Sequence, residues 1–316
     1  MEKVRELASI REAYGKTLVA LGKENPDIVV LDADLSRSTM TRLFAHEFPQ
    51  RFFNCGIAEQ NMMSISAGLA ASGKIVFASS FAIFATGRCF DQLRMSIAQP
   101  RLNVKVVASH GGISVGEDGF SHHAIEDLAL ACSLPGFKVI VPADAIETAQ
   151  VVRIAASTPG PFYIRLNRPK SPLVYSDGYQ FVLGKAVTIK QGSDATIIAT
   201  GIMVARALEA AESLARQGIS CRVLSMPTLK PLDREAIILA AEETGAIVTA
   251  EEHLEQGGLG SRVAQAVVQH RAVPMAFVAI KDVYAKSGTP EELLERYGLS
   301  TDDIEKAVKS TLRKKG

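Results

Sequence analysis

Apolar residues along this chain fall into short continuous runs separated by stretches with three-and-four spacing. That is the pattern of strands covered on both faces alternating with one-sided helices. Residues 9–21 place Ile10, Tyr14, Leu18 and Leu21 on one helical face, and Asn25-Pro26-Asp27 ends the segment. Ile28-Val29-Val30-Leu31 then reads as a buried strand, and it runs into the polar loop Asp32-Ala33-Asp34-Leu35-Ser36-Arg37-Ser38. Further strands are predicted at 75–78, 104–108, 139–141 and 162–164, with helices over 58–72, 88–98, 124–133 and 145–156. Polar residues and glycines gather after the strands, where open α/β sheets bind ligands.

Residues 168–178, Arg-Pro-Lys-Ser-Pro-Leu-Val-Tyr-Ser-Asp-Gly, carry turn and proline content without periodicity and read as a linker. Beyond them the alternation resumes, with strands at 195–199, 221–224, 246–249 and 276–280 and helices over 204–216, 233–243 and 260–270. Two polar helices near 290–297 and 300–313 finish the chain. The pattern predicts an α/β protein of two doubly wound domains, 1–175 and 180–316, each with a largely parallel sheet flanked by helices.

Length agrees with that division, since 316 residues exceed the usual span of one core. A net charge of +1 gives no electrostatic bias toward nucleic acid or anionic membrane, so neither is expected as a partner. No apolar run is long enough to span a membrane, and the opening Met-Glu-Lys-Val-Arg-Glu lacks a signal-peptide layout. A cytoplasmic protein is expected. Cysteines 55, 89, 132 and 221 are scattered without a Cys-x-x-Cys pair, which argues for reduced packing thiols rather than a zinc site or disulfide framework.

The chemistry begins at Cys55-Gly56-Ile57-Ala58-Glu59-Gln60-Asn61-Met62-Met63. In a helix opening after Gly56, Glu59 shares a face with Met62, Met63, Ser66, Leu69 and Ala70. Burial favours the neutral form of a carboxyl, so an acid so placed can donate a hydrogen bond to a basic ring nitrogen and exchange that proton. The same first-turn position also suits an acid that meets free N–H groups and the helix dipole.

Three further groups stand out. The loop 109–123, Ser-His-Gly-Gly-Ile-Ser-Val-Gly-Glu-Asp-Gly-Phe-Ser-His-His, follows a strand and combines imidazoles, carboxylates and glycines that permit close backbone approach to a ligand. His122 and His123 are adjacent, so their rings point apart, and no metal site is expected in this chain. Phe81 and Phe84 can stack on a flat heterocycle or fill the core. Arg11, Ser38, Arg165 and Arg168 suit a phosphate if the fold assembles them and are ordinary surface residues otherwise. Gln256-Gly257-Gly258-Leu259-Gly260 reads chiefly as a turn, with an anion nest as the alternative.

Glu59 in Gly-Ile-Ala-Glu-Gln-Asn-Met, the Phe81/Phe84 stretch and Gly116-Glu117-Asp118-Gly119-x-x-His122 resemble the pyrimidine-binding domain of the transketolase family. Residues after the linker resemble that family's C-terminal domain, so the likeness covers essentially the whole chain. It implies that Glu59 meets the aminopyrimidine of thiamine diphosphate and favours the tautomer that removes the thiazolium proton. Phe84 and Phe81 would form the aromatic wall behind the pyrimidine, and Asp34 and Leu35 would lie near the cofactor. His110, Asp118 and His122 would meet sugar hydroxyls, with His110 and His122 also catalytic, while Arg11, Ser38 and Arg168 would grip the sugar's phosphate. Arg165 has no counterpart role.

The family's Gly-Asp-Gly…Asn pattern, which holds the diphosphate and a divalent metal, does not occur here. The resemblance therefore implies one subunit of a split transketolase of the pentose phosphate pathway, with Mg or Ca held by a separate N-terminal subunit and two copies of each chain in a heterotetramer. Its expected reaction moves a two-carbon ketol unit from a ketose phosphate to an aldose phosphate. Gly87-Arg88 falls where many members carry a tyrosine, an arrangement similar to 1-deoxyxylulose-5-phosphate synthase. That enzyme, a 2-oxo acid dehydrogenase β subunit and a non-catalytic partner-binding subunit stand as alternatives.

Overall fold

The computed structural model describes residues 6–315. Residues 1–5, on which the reading of the amino terminus rests, and Gly316 lie outside the described residues. A seven-stranded sheet is ordered Thr228–Lys230, Lys138–Ile140, Phe162–Arg165, Val104–Ser109, Ile75–Phe81, Ile28–Asp32 and Phe52–Asn54. All its pairs are parallel except the one made by Thr228–Lys230. A five-stranded sheet is ordered Met275–Ile280, Ile247–Leu254, Ala195–Ala199, Cys221–Ser225 and Val187–Lys190, and only the last strand runs antiparallel to its neighbour.

Most predicted elements appear within a few residues of their expected ends. The three exceptions have local causes. Where one helix is expected over 88–98, the chain winds two wide turns, Phe84–Arg88 and Gln92–Ala98, in the π form that recurs at functional sites. The helix expected from 124 begins instead at Asp127, because Ala124 bridges to Gly111 and Gly112. The strand expected to stop at 249 continues through the buried Glu251, Glu252 and His253 to Leu254. Charged residues end a strand by pattern, and these are tolerated because each finds a hydrogen-bond partner.

The two halves share one interior. A single buried apolar cluster runs from Val29 and Met62 through Val106 and Tyr163 to Ile198, Leu229 and Val263. Thr228–Lys230, although it lies past the linker, adds its edge to the first sheet. A lysine is among the buried side chains: Lys105 Nζ donates to the carbonyls of Thr158 and Gly160 at 2.7 Å each, and burial lowers its pKa to about 7.

The expected linker is fastened down rather than free. Ser171–Pro172 pairs with Leu7–Ala8, and the Asp144 carboxylate accepts the N–H groups of Val174 and Tyr175 at 2.7 and 2.8 Å. Asp144 also caps the helix Ala145–Ser157, accepting from Glu147 N–H at 2.8 Å. From the next turn Glu147 accepts the Tyr179 hydroxyl at 2.5 Å and the Ala143 N–H at 2.7 Å.

Burial pushes the Glu147 carboxyl up to about 7. A folded pKa above the unfolded value favours the native state fully below about 4.5, and that advantage is lost as pH rises through 7. Glu147→Gln keeps an acceptor for Ala143 N–H and has no proton to lose. Urea denaturation should therefore show the variant gaining on the parent between pH 5 and pH 8, by on the order of 1–3 kcal/mol. A constant difference across that range would refute the assignment.

Candidate functional site

Four parallel strands, Ile28–Asp32, Ile75–Phe81, Val104–Ser109 and Phe162–Arg165, end side by side, with Asp32 opposite Ser79, Phe81 opposite Ser109 and Ala108 opposite Arg165. Their carboxyl-end loops therefore converge. Asp32, buried, shapes the first of them. Its carboxylate accepts from Leu35 N–H at 2.5 Å and from the Thr39 and Thr41 hydroxyls at 2.7 and 2.8 Å, and burial raises its pKa. Asp34 is exposed, in the left-handed region at φ 62, and accepts from the Asn54 amide at 2.9 Å. Leu35 beside it is half-buried.

Glu59 opens the helix Glu59–Ala71 and is 4% exposed, on the same buried face as Met62, Met63, Ser66 and Ala70. Its Oε1 accepts from Arg88 Nη1 at 2.9 Å. The partner is half in solvent, the Arg88 side chain being 47% exposed. The Arg88 guanidinium lies over the Phe84 ring, 3.7 Å from its centroid. Phe84 stacks with Phe81 at 5.8 Å, and Phe81 stacks with His110 at 3.8 Å. His122 meets both phenyl rings edge-on, at 6.2 and 5.2 Å. One continuous patch thus joins a buried acid to two aromatic faces and two imidazoles.

His110 is in the left-handed region at φ 59, and its Nδ1 shares a hydrogen with Ser109 Oγ at 2.9 Å. Burial, then the charges of Arg11 and Arg168, lower its pKa to about 3. The imidazole is therefore neutral near pH 7, able to donate from one nitrogen and accept at the other.

Arg11 and Arg168, far apart in sequence, meet at this end of the patch. Arg11 donates from Nη1 to the Ser38 carbonyl at 2.7 Å and from Nη2 to the Arg168 carbonyl at 3.0 Å. Ser38 enters this contact through its backbone. Arg168 Nη1 donates to the Val115 carbonyl and to the exposed Glu117 carboxylate at 2.9 Å. Burial and then Arg168 lower the Arg11 pKa, and Arg11 Nε is buried without a partner. The two charges act on each other and on His110, and such a pairing of guanidinium groups favours an anion nearby.

Other expected residues stand elsewhere. Asp118 is exposed, and its charge acts on His123. Arg165 does not join the phosphate-type cluster. It is 4% exposed, turned inward, with Nε 3.1 Å from Asp127. Gly111 and Gly112 serve close packing against the chain itself. A Cβ at Gly111 would lie 2.1 Å from Arg165 Nε, and one at Gly112 would lie 2.1 Å from the Glu252 carboxyl carbon. The anion held by the Gly257–Gly260 turn is the protein's own Glu251, which accepts from Leu259 and Gly260 N–H at 2.6 and 2.7 Å. Cys55 is half-buried with its pKa raised by burial, which disfavours the reactive thiolate.

Sequence reasoning missed Asp32 and Glu252 as organisers and left Arg88 as a departure from pattern. Asp32 was readable, as an acid at the end of an apolar run. Glu252 was not, because its partner lies in the other half of the chain. Among the described residues no group of three or more His, Cys, Asp or Glu side chains is placed to hold a metal ion.

The family description "Transketolase, pyrimidine binding domain" matches residues 6–172, and "Transketolase, C-terminal domain" matches residues 184–304. A solved structure described as "Split gene transketolase, inactive beta4 tetramer" is 53% identical, with a TM-score of 0.92 over 98% of this chain and 99% of that one. A Methanocaldococcus jannaschii protein bearing the provisional name of transketolase C-terminal section is 45% identical over 308 residues, 96% of each chain. Mouse transketolase is 42% identical over 316 residues, which are 99% of this chain and 50% of the mouse protein, so the chain spans about half of that relative.

The His110 environment can be checked by titration. A depressed histidine pKa favours the native state above about 6.5, and that advantage is lost as pH falls toward 3. The His110 ring signal should show no titration step between pH 5 and 8 by NMR, and His110→Asn should unfold less steeply in acid. A step near pH 6.5 for this ring would place it in water.

Proposed function

The chain belongs to the transketolase family, and on that premise we propose that it is the C-terminal subunit of a two-chain, thiamine diphosphate-dependent transketolase. Its reaction is transfer of a two-carbon ketol unit from a ketose phosphate to an aldose phosphate. One observation supports this most: the buried Glu59 lies in one patch with two phenyl rings, two imidazoles and, at the far end, a pair of guanidinium groups.

The patch fits an aminopyrimidine. Glu59 is fixed by the helix start, while Arg88, half in solvent, can move aside and leave its place to the N–H of a ring. Phe84 and Phe81 offer flat apolar faces beside that acid. When bound, the coenzyme would supply the carbanion chemistry that side chains lack. This chain's part is then to hold and move a proton at the Glu59 carboxyl, to shape the pocket with Asp34 and Leu35, and to exclude water with the phenyl rings. His110, neutral near pH 7, and His122 would hydrogen-bond sugar hydroxyls and pass protons, with Asp118 at the rim. Arg11, Arg168 and the Ser38 turn would fix the sugar's phosphate.

The reading assigns the diphosphate and its Mg or Ca ion to a separate N-terminal subunit, in a cytoplasmic heterotetramer of two copies of each chain. No helix among the described residues is long and apolar enough to cross a membrane. We place the domain division between residues 175 and 180, at the strapped linker.

Arg88 is the observation that favours a second reading, a 1-deoxyxylulose-5-phosphate synthase-like enzyme, since its guanidinium covers Phe84. Donor choice separates the two. The assembled pair should turn over xylulose 5-phosphate with ribose 5-phosphate and leave pyruvate unused; the reverse preference would favour the synthase. In that assembly Glu59→Ala should lower kcat by about 100-fold or more, and near-normal turnover would remove Glu59 from the mechanism.

A further inference from the structure

The second sheet has its own ligand-binding edge, and it is already filled. In a doubly wound sheet the crevice lies where the chain reverses its direction of strand addition. Here that point falls between Ala195–Ala199 and Ile247–Leu254, because the chain proceeds from the former to Cys221–Ser225 on one side and then to the latter on the other. A small cavity there, with room for about a single water, is lined by Thr200 and Glu252 from this sheet and by Gly111, Val141, Arg165 and Asn167 from the first half. The crevice grips the 109–123 loop where another α/β domain would hold a ligand.

The grip is specific. Glu252 Oε1 accepts the backbone N–H of Ser114 at 2.5 Å, and its carboxyl lies against Gly112, which only a residue without Cβ allows. Arg165 donates from Nη2 to the carbonyls of Ala124 at 3.1 Å and Glu252 at 2.8 Å, closing the far end of the loop against the same strand. Asp127, itself accepting the Tyr163 hydroxyl at 2.6 Å, balances the Arg165 charge. His122 lies between these two anchors, and Gly111 and Gly112, directly after His110, pack against Arg165 and Glu252, so the backbone that carries the left-handed His110 and its stacking on Phe81 has little freedom.

We propose that Glu252, backed by Arg165 and Asp127, is a positioning residue that sets His110 and His122 through the loop it holds, so that the second half contributes to the site without touching substrate. This rests on the transketolase reading for its catalytic consequence. Its structural content stands independently.

Two substitutions separate reach from charge. Glu252→Asp keeps the carboxylate beside Arg165 but withdraws it by about 1.5 Å, one C–C bond, from Ser114 N–H. Glu252→Gln keeps the reach and the acceptor oxygen while removing the charge. In the chain alone, read by NMR, Glu252→Asp should shift the His110 ring signal and bring its titration midpoint up toward about 6.5, and Glu252→Gln should leave both near the parent. In the chain assembled with its partner, Glu252→Asp should lower kcat by roughly tenfold or more with KM changed less, and Glu252→Gln should stay within about threefold.

A parent-like ring signal in Glu252→Asp would overturn the proposal, as would equal losses in both variants, since charge and not reach would then matter. If Glu252→Asp does not fold, Gly112→Ala carries the same expectation, because the new carbon would push the carboxyl off Ser114. An assembled parent with no ketol transfer would sink the functional reading alone, leaving the ring measurement to decide this one.

Discussion

A carboxylate taken out of water must be given hydrogen-bond donors, and in this fold the donors are mostly backbone N–H groups of the loops. Asp32 takes Leu35, Asp144 takes Val174 and Tyr175, Glu147 takes Ala143, Glu251 takes Leu259 and Gly260, and Glu252 takes Ser114. Each acid turns a flexible connection into a fixed one. A hydrogen bond to a charged group contributes about 1.5–3 kcal/mol, enough to fix a short loop at the point where it is made. Glu59 differs in kind. It is as buried as the others, yet its hydrogen bond comes from a half-exposed guanidinium that can leave. A buried acid with a displaceable donor is suited to chemistry, whereas the rest are suited to architecture.

That distinction explains what was legible in the sequence. Strand runs, helix faces and the turn at the linker follow from periodicity, and the fold class and most strand positions were readable from local spacing, which put Glu59 on an apolar helical face but left a first-turn capping role equally open. The extension of Ile247–Leu254 through three polar residues was not, because periodicity scores Glu251, Glu252 and His253 as solvated. Their burial depends on partners from Ser114, Ala129 and the Leu259 turn, which no local window contains. The short edge strands Phe52–Asn54, Val187–Lys190 and Thr228–Lys230 escaped because runs of three or four residues are too short to show a period.

At the site the residue types were readable and their grouping was not. Arg11, Arg165 and Arg168 look alike as sequence, and only the fold separates them. Arg11 and Arg168 share a surface with His110, while Arg165 points into the interface of the two halves. Arg165 ends the strand Phe162–Arg165 and Arg168 lies in the bend beyond it, so the two side chains go to different partners, the Glu252 carbonyl for one and the Val115 carbonyl and Glu117 for the other. The glycines show the same limit. Gly111 and Gly112 suggested room for a ligand, and the room is taken by Arg165 and Glu252.

The second half therefore does more than enlarge the core. A loop with His110 in a left-handed conformation carries a backbone strain of order 1–3 kcal/mol, and such a conformation persists only where surrounding contacts over-determine it. Those contacts come from both sides: Phe81 stacks on the ring and Arg165 holds Ala124 from the first sheet, while Glu252 holds Ser114 from the second, so the loop is anchored on either side of the Gly119 turn. The Gly116–Gly119 turn is in turn packed against Ser287 and Pro290 near the carboxyl-terminal helices. A first domain alone would retain Glu59 and the phenyl rings but lose every one of the second-half contacts to this loop. Most of the loop's N–H groups bond within the first half, as Gly111 does to Leu166 and Gly112 to Ala124, but the Ser114 N–H finds its acceptor across the linker on Glu252, and through that bond the second half bears on the segment that carries the imidazole.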